Sequence, residues 1–392
     1  MAWKLAQSDR LTELHAAPGN PGIAEIATCH PVRADDGDGL LELARALEID
    51  LVVIGPEAPL VAGVGDRLRH GGVPVFGPGA DAARIEGSKS FAKEVLEAAG
   101  VPTAQALSDP APPCVVKADG LAAGKGVFVC RTQAELDAGL AAAQEIGGSV
   151  VVEELLEGEE LSVFALCDGR HTLPLAAVRD YKRAGDSDTG PNTGGMGAFS
   201  PVPGFDSSEV DELVDRIHAP VVEELARRGA PFTGVLYAGL MLTAEGPKVL
   251  EFNCRFGDPE TQSLLPRIDG DLLAALEAAA TGGLDRVDLH VTPRAAVTVV
   301  VTGGEYPERS DSGSEIEGVA DAERLGALVF HSGTARQGER LVTNGGRIVG
   351  LTGVADHLED ARALAYEGAA LISFRGARYR TDIAFPETSH VA

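Results

Sequence analysis

Leu250-Glu251-Phe252-Asn253-Cys254-Arg255-Phe256-Gly257-Asp258-Pro259-Glu260-Thr261-Gln262 carries more chemistry per residue than any other part of this chain. Its first half has the pattern of a strand, in which Glu251 and Asn253 fall two apart and share a face. A carboxylate and an amide oxygen side by side suit a hard cation such as Mg²⁺, which takes oxygen ligands and shares them with nucleotide phosphates. Arg255 adds a cation two residues on. The strand breaks at Gly257-Asp258-Pro259, where the sequence predicts Asp258 as a helix cap with Pro259 at the first helical position.

Upstream, the predicted strands Gly234–Leu242 and Lys248–Asn253 pair through the turn Ala244-Glu245-Gly246-Pro247. Further back lies Lys117-Ala118-Asp119-Gly120-Leu121-Ala122-Ala123-Gly124-Lys125-Gly126-Val127, a strand, a flexible loop and a strand. Backbone N–H groups of such a loop wrap phosphate oxygens, and two lysines add charge. The loop is not a Walker A motif: only three residues separate Gly120 from Gly124, Lys125 precedes glycine, and a strand follows where a helix should. Val151 to Glu160 is a strand leaving into an acidic turn, suited in an ATP site to reading adenine by its backbone and ribose by a carboxylate. Residues 183–197 form a polar, glycine-rich segment without periodicity, too long for a simple connector and therefore expected to be functional. Its flanks, Asp180-Tyr181-Lys182-Arg183 and Asp188 to Gly197, suit a loop that recognises a small polar or phosphorylated substrate.

The first 85 residues alternate short apolar strands, such as Leu51-Val52-Val53-Ile54 and Val73–Phe76, with amphipathic helices, which predicts a parallel sheet with crossover helices. The chain opens directly on a predicted helix, Met1 to Ser8, without the strand and glycine turn that begin a doubly wound domain. A compact α+β unit follows from Gly87, with predicted strands at Cys114–Lys117, Gly126–Cys130, Val150–Glu154 and Leu161–Cys167. A helix is expected over about Ser208–Arg228. Strands from Ala295, Leu328 and Arg347, with a helix at His357–Leu371, predict a small closing domain.

The 392 residues carry a formal charge of −26, which argues against nucleic-acid binding. No long apolar run or basic leader predicts a membrane span or signal peptide. The five cysteines (29, 114, 130, 167 and 254) are scattered, as expected of reduced thiols in a cytoplasmic protein. Cys254 has no histidine beside it and is expected to pack rather than react. Only seven lysines occur, and four of them, Lys89, Lys117, Lys125 and Lys182, fall in the polar and glycine-rich motifs.

In order and combination these motifs resemble the glycinamide ribonucleotide synthetase (phosphoribosylamine–glycine ligase) family of the ATP-grasp superfamily. The likeness extends over nearly the whole chain and includes Ala2-Trp3-Lys4-Leu5-Ala6, Ala17-Pro18-Gly19-Asn20, Gly55-Pro56-Glu57-Ala58-Pro59-Leu60, Glu86-Gly87-Ser88-Lys89 and Gly190-Pro191-Asn192-Thr193-Gly194-Gly195-Met196-Gly197-Ala198. The resemblance implies a multidomain α/β and α+β protein: a truncated doubly wound N-terminal domain over residues 1–86, an ATP-grasp domain over 87–290 with a lid at about 105–170, and a C-terminal domain over 291–392. It implies that Glu251 and Asn253 bind Mg²⁺, with Mn²⁺ as an alternative. Lys89 and Lys117 would contact ATP phosphates, and Gly120, Leu121, Ala122, Ala123, Gly124, Lys125, Gly126 and Val127 would belong to the triphosphate lid. Glu153, Glu154 and Leu156 would line the adenine pocket, with Glu160 toward the ribose. Asp180, Lys182, Asn192, Thr193 and Arg255 would surround the acceptor and the acyl phosphate.

Such enzymes join glycine to 5-phosphoribosylamine at the expense of ATP, and a monomer is the expectation. Two departures bear on that. The family's opening strand and Gly-Gly-Arg-Glu-His-Ala turn do not precede Met1, and a start assigned too late is the expected reason. Tyr181 stands where the family has histidine, and a phenol carries no positive charge near neutral pH. Two further readings are another ATP-grasp carboxylate–amine ligase and a truncated, catalytically silent ATP-binding relative.

Overall fold

The computed structural model describes residues 1–122 and 126–385. Its backbone is organised by one eight-stranded sheet, running Gly246–Asn253, Thr233–Thr243, Glu159–Asp168, Thr172–Asp180, Gly197–Ser200, Ala295–Thr302, Arg347–Ala355 and Leu328–His331 from edge to edge. Every neighbouring pair is antiparallel. The middle strands are apolar on both faces, because helices cover both sides. Ala295–Thr302, for example, is buried at all its positions. The sheet crosses residue 291 without a break, since Gly197–Ser200 pairs with Thr172–Asp180 on one side and Ala295–Thr302 on the other.

Cys114–Ala118 forms the centre of a separate three-stranded antiparallel sheet, flanked by Val127–Cys130 and Val150–Glu154. The helix Gln133–Gly147 closes its own small core there, with Leu136 and Ala143 against Cys114, Val116 and Val152. Thr132 and Glu135 cap that helix reciprocally, satisfying two backbone donors at its start. This unit is therefore a packed body of its own beside the large sheet.

The first 86 residues supply two short parallel pairs, His15–Ala16 with Thr28–Cys29 and Val52–Val53 with Val75–Phe76. The opening helix, expected over Met1 to Ser8, is a single turn, Ala2–Leu5, with Ala6 as its C-cap. Trp3 meets Phe330 edge-on at 5.8 Å, and the Asn20 amide donates to the His331 carbonyl at 2.9 Å, so this region leans on the far end of the large sheet. No helix among the described residues is long and apolar enough to cross a membrane.

Two local expectations are corrected. Residues 183–197 are not irregular: Arg183–Gly185 pairs with Thr189–Asn192 as a short hairpin before the strand Gly197–Ser200. Asp258 does not cap the following helix, Glu260–Leu264, which has no side-chain cap. Its carboxylate is taken by Arg347 Nη2 at 2.8 Å and by Gln262 Nε2 at 2.8 Å.

Candidate active site

Strand alternation delivers the edge strand's polar groups to one place. Glu251 and Asn253 face a cavity of about 470 Å³, which Arg255, Lys89, Asp180 and Lys182 also line. Three structural units meet there. The N-terminal region brings Gly55, Pro56, Glu57 and Glu86, the small sheet and its loop bring Ala118, Gly120, Leu121, Ala122, Gly126 and Val127, and the strands of the large sheet with the loops and helices beside them bring the rest. Ala123, Gly124 and Lys125, expected in the lid, lie outside the described residues.

Each cation in the cavity is held by a carboxylate. Lys89, at the first turn of the helix Lys89–Ala99, reaches Glu251 at 3.2 Å. That ammonium, chiefly, pulls the Glu251 carboxyl down to about 2, so it is ionised at any physiological pH. Arg255 is shared between Glu57 at 3.2 Å and Glu86 at 3.4 Å. Burial works against its charge, yet the two carboxylates hold the guanidinium above its ordinary range. Glu86 also accepts from the Cys254 backbone N–H at 2.8 Å and from its thiol at 3.0 Å. Burial and that carboxylate push the Cys254 thiol far up, so the residue packs and does not act as a nucleophile, as its sequence context led us to expect.

Asp180, the last residue of its strand, and Lys182, two residues beyond it, lie 3.6 Å apart, with Glu160 bonded to the same ammonium. Tyr181 between them points to the other side. Its hydroxyl accepts from the Ala384 N–H at 3.0 Å, and its ring carries the Arg380 guanidinium at 4.9 Å. The tyrosine is thus a structural contact to the C-terminal segment, and the Tyr181→His variant is expected to keep kcat within about threefold while losing about 1 kcal/mol of stability. Steady-state ADP release and urea unfolding check the two halves.

Not every predicted residue reaches the cavity. Thr193 does, and both its N–H and its hydroxyl donate to the Lys182 carbonyl at 2.8 Å. Asn192 is exposed on the hairpin. Glu153 lies beneath the small sheet, where its buried carboxylate joins Lys117 at 2.7 Å and Lys93 at 2.8 Å. Lys117 also donates to the Leu250 carbonyl at 2.9 Å. Glu154 accepts from the Gln105 N–H at 3.0 Å, while Leu156 is buried.

Other groups in the cavity were not anticipated. Tyr237 and Glu260 meet at 2.8 Å, and Phe256 and Arg347 line the same wall. Arg347 reaches in from the C-terminal part of the sheet and donates to the carbonyls of Gly194, Gly195 and Asp258. The Tyr306 hydroxyl accepts from the Gly194 N–H at 2.9 Å, so that peptide is held at both ends. Gly195 has φ +106 and lies so close to the Pro259 ring that a Cβ would overlap it, which explains a glycine there. Glu86 and Glu260 had a signal, since both sit inside stretches already singled out. Arg347 had none, because no local motif surrounds it.

Among the described residues, no cluster of three or more His, Cys, Asp or Glu side chains could hold a metal alone. Glu251 with Asn253 fits a different kind of site. An ionised carboxylate and an amide oxygen on one strand face suit a hard divalent cation that takes its other ligands from phosphate and water.

Comparison with known proteins matches this architecture part by part. Profiles described as phosphoribosylglycinamide synthetase N domain, ATP-grasp (A) domain and C domain match residues 1–86, 87–261 and 296–386. The chain belongs to the phosphoribosylglycinamide synthetase family. Relatives named phosphoribosylamine–glycine ligase include one from Streptomyces coelicolor, 50% identical across 95% of this chain and 93% of the relative, and one from Rhizobium meliloti, 46% identical across 98% and 94%. A crystal structure of phosphoribosylamine–glycine ligase from Thermotoga maritima superposes with TM-score 0.84 at 33% identity, over 98% of this chain and 97% of the other. The biotin carboxylase domain of a Hydrogenobacter thermophilus 2-oxoglutarate carboxylase shares the ATP-grasp fold of this synthetase family member, with TM-score 0.70 at 15% identity over 93% and 86%.

Proposed function

We propose that the protein ligates glycine to 5-phosphoribosylamine with ATP, releasing glycinamide ribonucleotide, ADP and phosphate in purine biosynthesis. The observation that carries this reading is the meeting, in one cavity, of a cation-binding oxygen pair, a lysine, a phosphate-type loop and a separate Asp180–Lys182–Thr193 group. Family membership along the whole chain supports it.

A carboxylate oxygen of glycine attacks the γ-phosphorus of ATP, and the bond to the β–γ bridging oxygen breaks, giving glycyl phosphate and ADP. The amine nitrogen of phosphoribosylamine then attacks the glycyl carbonyl. The carbon–oxygen bond to phosphate breaks, one proton leaves the nitrogen, and the amide remains. Phosphoryl transfer asks the protein mainly for positioning and charge neutralisation. Lys89 and Lys117 serve the phosphates, and Arg255, Asp180, Lys182 and Thr193 hold the acceptor side. Glu251 and Asn253 would hold a divalent cation, Mg²⁺ with Mn²⁺ as its substitute, which when bound neutralises phosphate charge. The small sheet, closing with Gly120 to Ala122 over the cavity, keeps water from the acyl phosphate.

Glu153, Glu154 and Leu156 serve the adenine side through the backbone and the packing of their strand end. Residues 87–290 form the nucleotide-binding body, and the protein acts as a monomer. The test is ADP release followed by a coupled assay. Release is expected only with glycine and phosphoribosylamine together. Turnover with another amine would favour a different ATP-grasp ligase, and ATP binding without turnover would favour a silent relative.

A further inference from the structure

Six carboxyls line the cavity, and their counter-charges differ. Glu57, Glu86, Asp180, Glu251 and Asp258 each have a protein cation within 4 Å. Glu260 has none among the described residues. Its Oε1 instead accepts from the neutral Tyr237 hydroxyl at 2.8 Å, which itself sits 2.8 Å from Ser162 Oγ. Glu260 is only 5% exposed. A buried carboxylate without a counter-ion is costly, and a ligand that supplies the missing cation recovers that cost.

Resting on the reading above, we propose that Glu260 is the specificity residue for the amino-acid substrate, receiving the ammonium group of glycine. The placement fits the two ends of that molecule. Tyr237 pairs across the sheet with Asn253, so the Glu260 carboxyl lies one tyrosine away from the oxygen pair where the glycine carboxylate must meet the γ-phosphate. Glycine spans only a few bonds from nitrogen to carboxylate. The first step leaves the ammonium unchanged, so its partner needs charge and no chemistry.

The surroundings agree. Burial first, and Asp180 second, push the Glu260 carboxyl up to about 7, while the Tyr237 hydrogen bond and the Lys182 charge pull it down; Arg255 is the other cation facing it. Glycine therefore binds best above that pH, where Glu260 is ionised, and its KM rises as the pH falls through 7.

The test compares wild type, Glu260→Gln and Tyr237→Phe. Glu260→Gln is expected to raise the KM for glycine about 30-fold or more at pH 8, since it removes one partner of a buried charge pair. The KM for ATP should stay within about threefold, and the discrimination of glycine from acetate should fall at least about tenfold, because the charge that selects the amine is gone. Tyr237→Phe keeps the carboxyl and removes the hydrogen bond that favours its ionised form. The pH at which its KM for glycine rises should move upward, so that the KM exceeds the wild-type value near neutral pH and approaches it as the pH is raised. Calorimetric titration of glycine with a non-hydrolysable ATP analogue present makes the same comparison without turnover. An unchanged KM for glycine in Glu260→Gln, or a fall in kcat alone, overturns the proposal. So does an unmoved pH profile in Tyr237→Phe, which stands even if the glutamine variant fails to fold. Wild type that binds glycine through Glu260 yet forms no product overturns the ligase reading and leaves this one standing.

Discussion

Glu251→Gln is expected to lower kcat by about 10³-fold, because it removes a fixed charge on which the phosphoryl-transfer transition state depends. Two functions meet in that carboxylate. It is one of the two strand oxygens that suit a divalent cation, and it is the partner of Lys89 at 3.2 Å. Its ionisation needs no help from pH, since Lys89 and the other nearby lysines hold its carboxyl at about 2. Glutamine preserves size and one oxygen but loses the charge, so the cation binds more weakly and Lys89 has no counter-ion when the site is empty. The side chain is one-third exposed, so unfolding should be almost unaffected. Steady-state ADP release across a Mg²⁺ titration checks both parts: the half-saturating Mg²⁺ should rise while maximal turnover collapses. A loss smaller than about tenfold would exclude Glu251 from the metal role.

The second large effect falls on stability. Glu153→Leu is expected to cost about 3–5 kcal/mol, because two cations lose their shared buried partner. Glu153 is 3% exposed, and Lys93 and Lys117 are 17% and 8% exposed. The same lysines reach the Thr103 hydroxyl and the Leu250 carbonyl, so the cluster fastens the small sheet to the edge strand that carries Glu251. Urea unfolding measures the loss, and ATP affinity should fall with it because Lys117 is no longer held. Glu153→Gln, which keeps one acceptor for one lysine, should lose less. Equal stability of wild type and the leucine variant would mean that the pair is not held as described.

Strand alternation explains why part of the site was legible in the sequence. Glu251 and Asn253 share a face by period alone, whereas Asp180 and Lys182, at and just beyond the end of the strand Thr172–Asp180, were legible only through the family resemblance. Lys89 follows Ser88, whose side chain caps the helix by accepting from the Phe91 N–H. Glu260 and Tyr237 were each visible as residues, but their meeting depends on a strand and a helix folding against one another. Asp258 shows the limit of local rules. A helix-capping role is what its neighbours favour, yet Arg347, 89 residues away, offers a full charge where a cap offers a partial one. The hairpin at 183–192 was missed because Gly, Pro and Asn dilute any alternation. The order of the large sheet was missed for a different reason: Gly197–Ser200 pairs with strands on both sides, one of them about a hundred residues away in sequence.

That sheet also determines where the chain tolerates being divided. Severing it near residue 291 would strip Ala295–Thr302 from Gly197–Ser200 and leave a row of unpaired backbone donors and acceptors on each piece. The amino-terminal fragment would also lose Arg347 and Tyr306, the two side chains that grip the Gly194 peptide. Neither fragment is then a soluble building block for fusion or complementation. The small sheet between Cys114 and Glu154 has its own core and reciprocal helix cap, but an exchange between relatives would have to carry Lys93 and the Leu250 strand with it, because Glu153 and Lys117 are bonded to them.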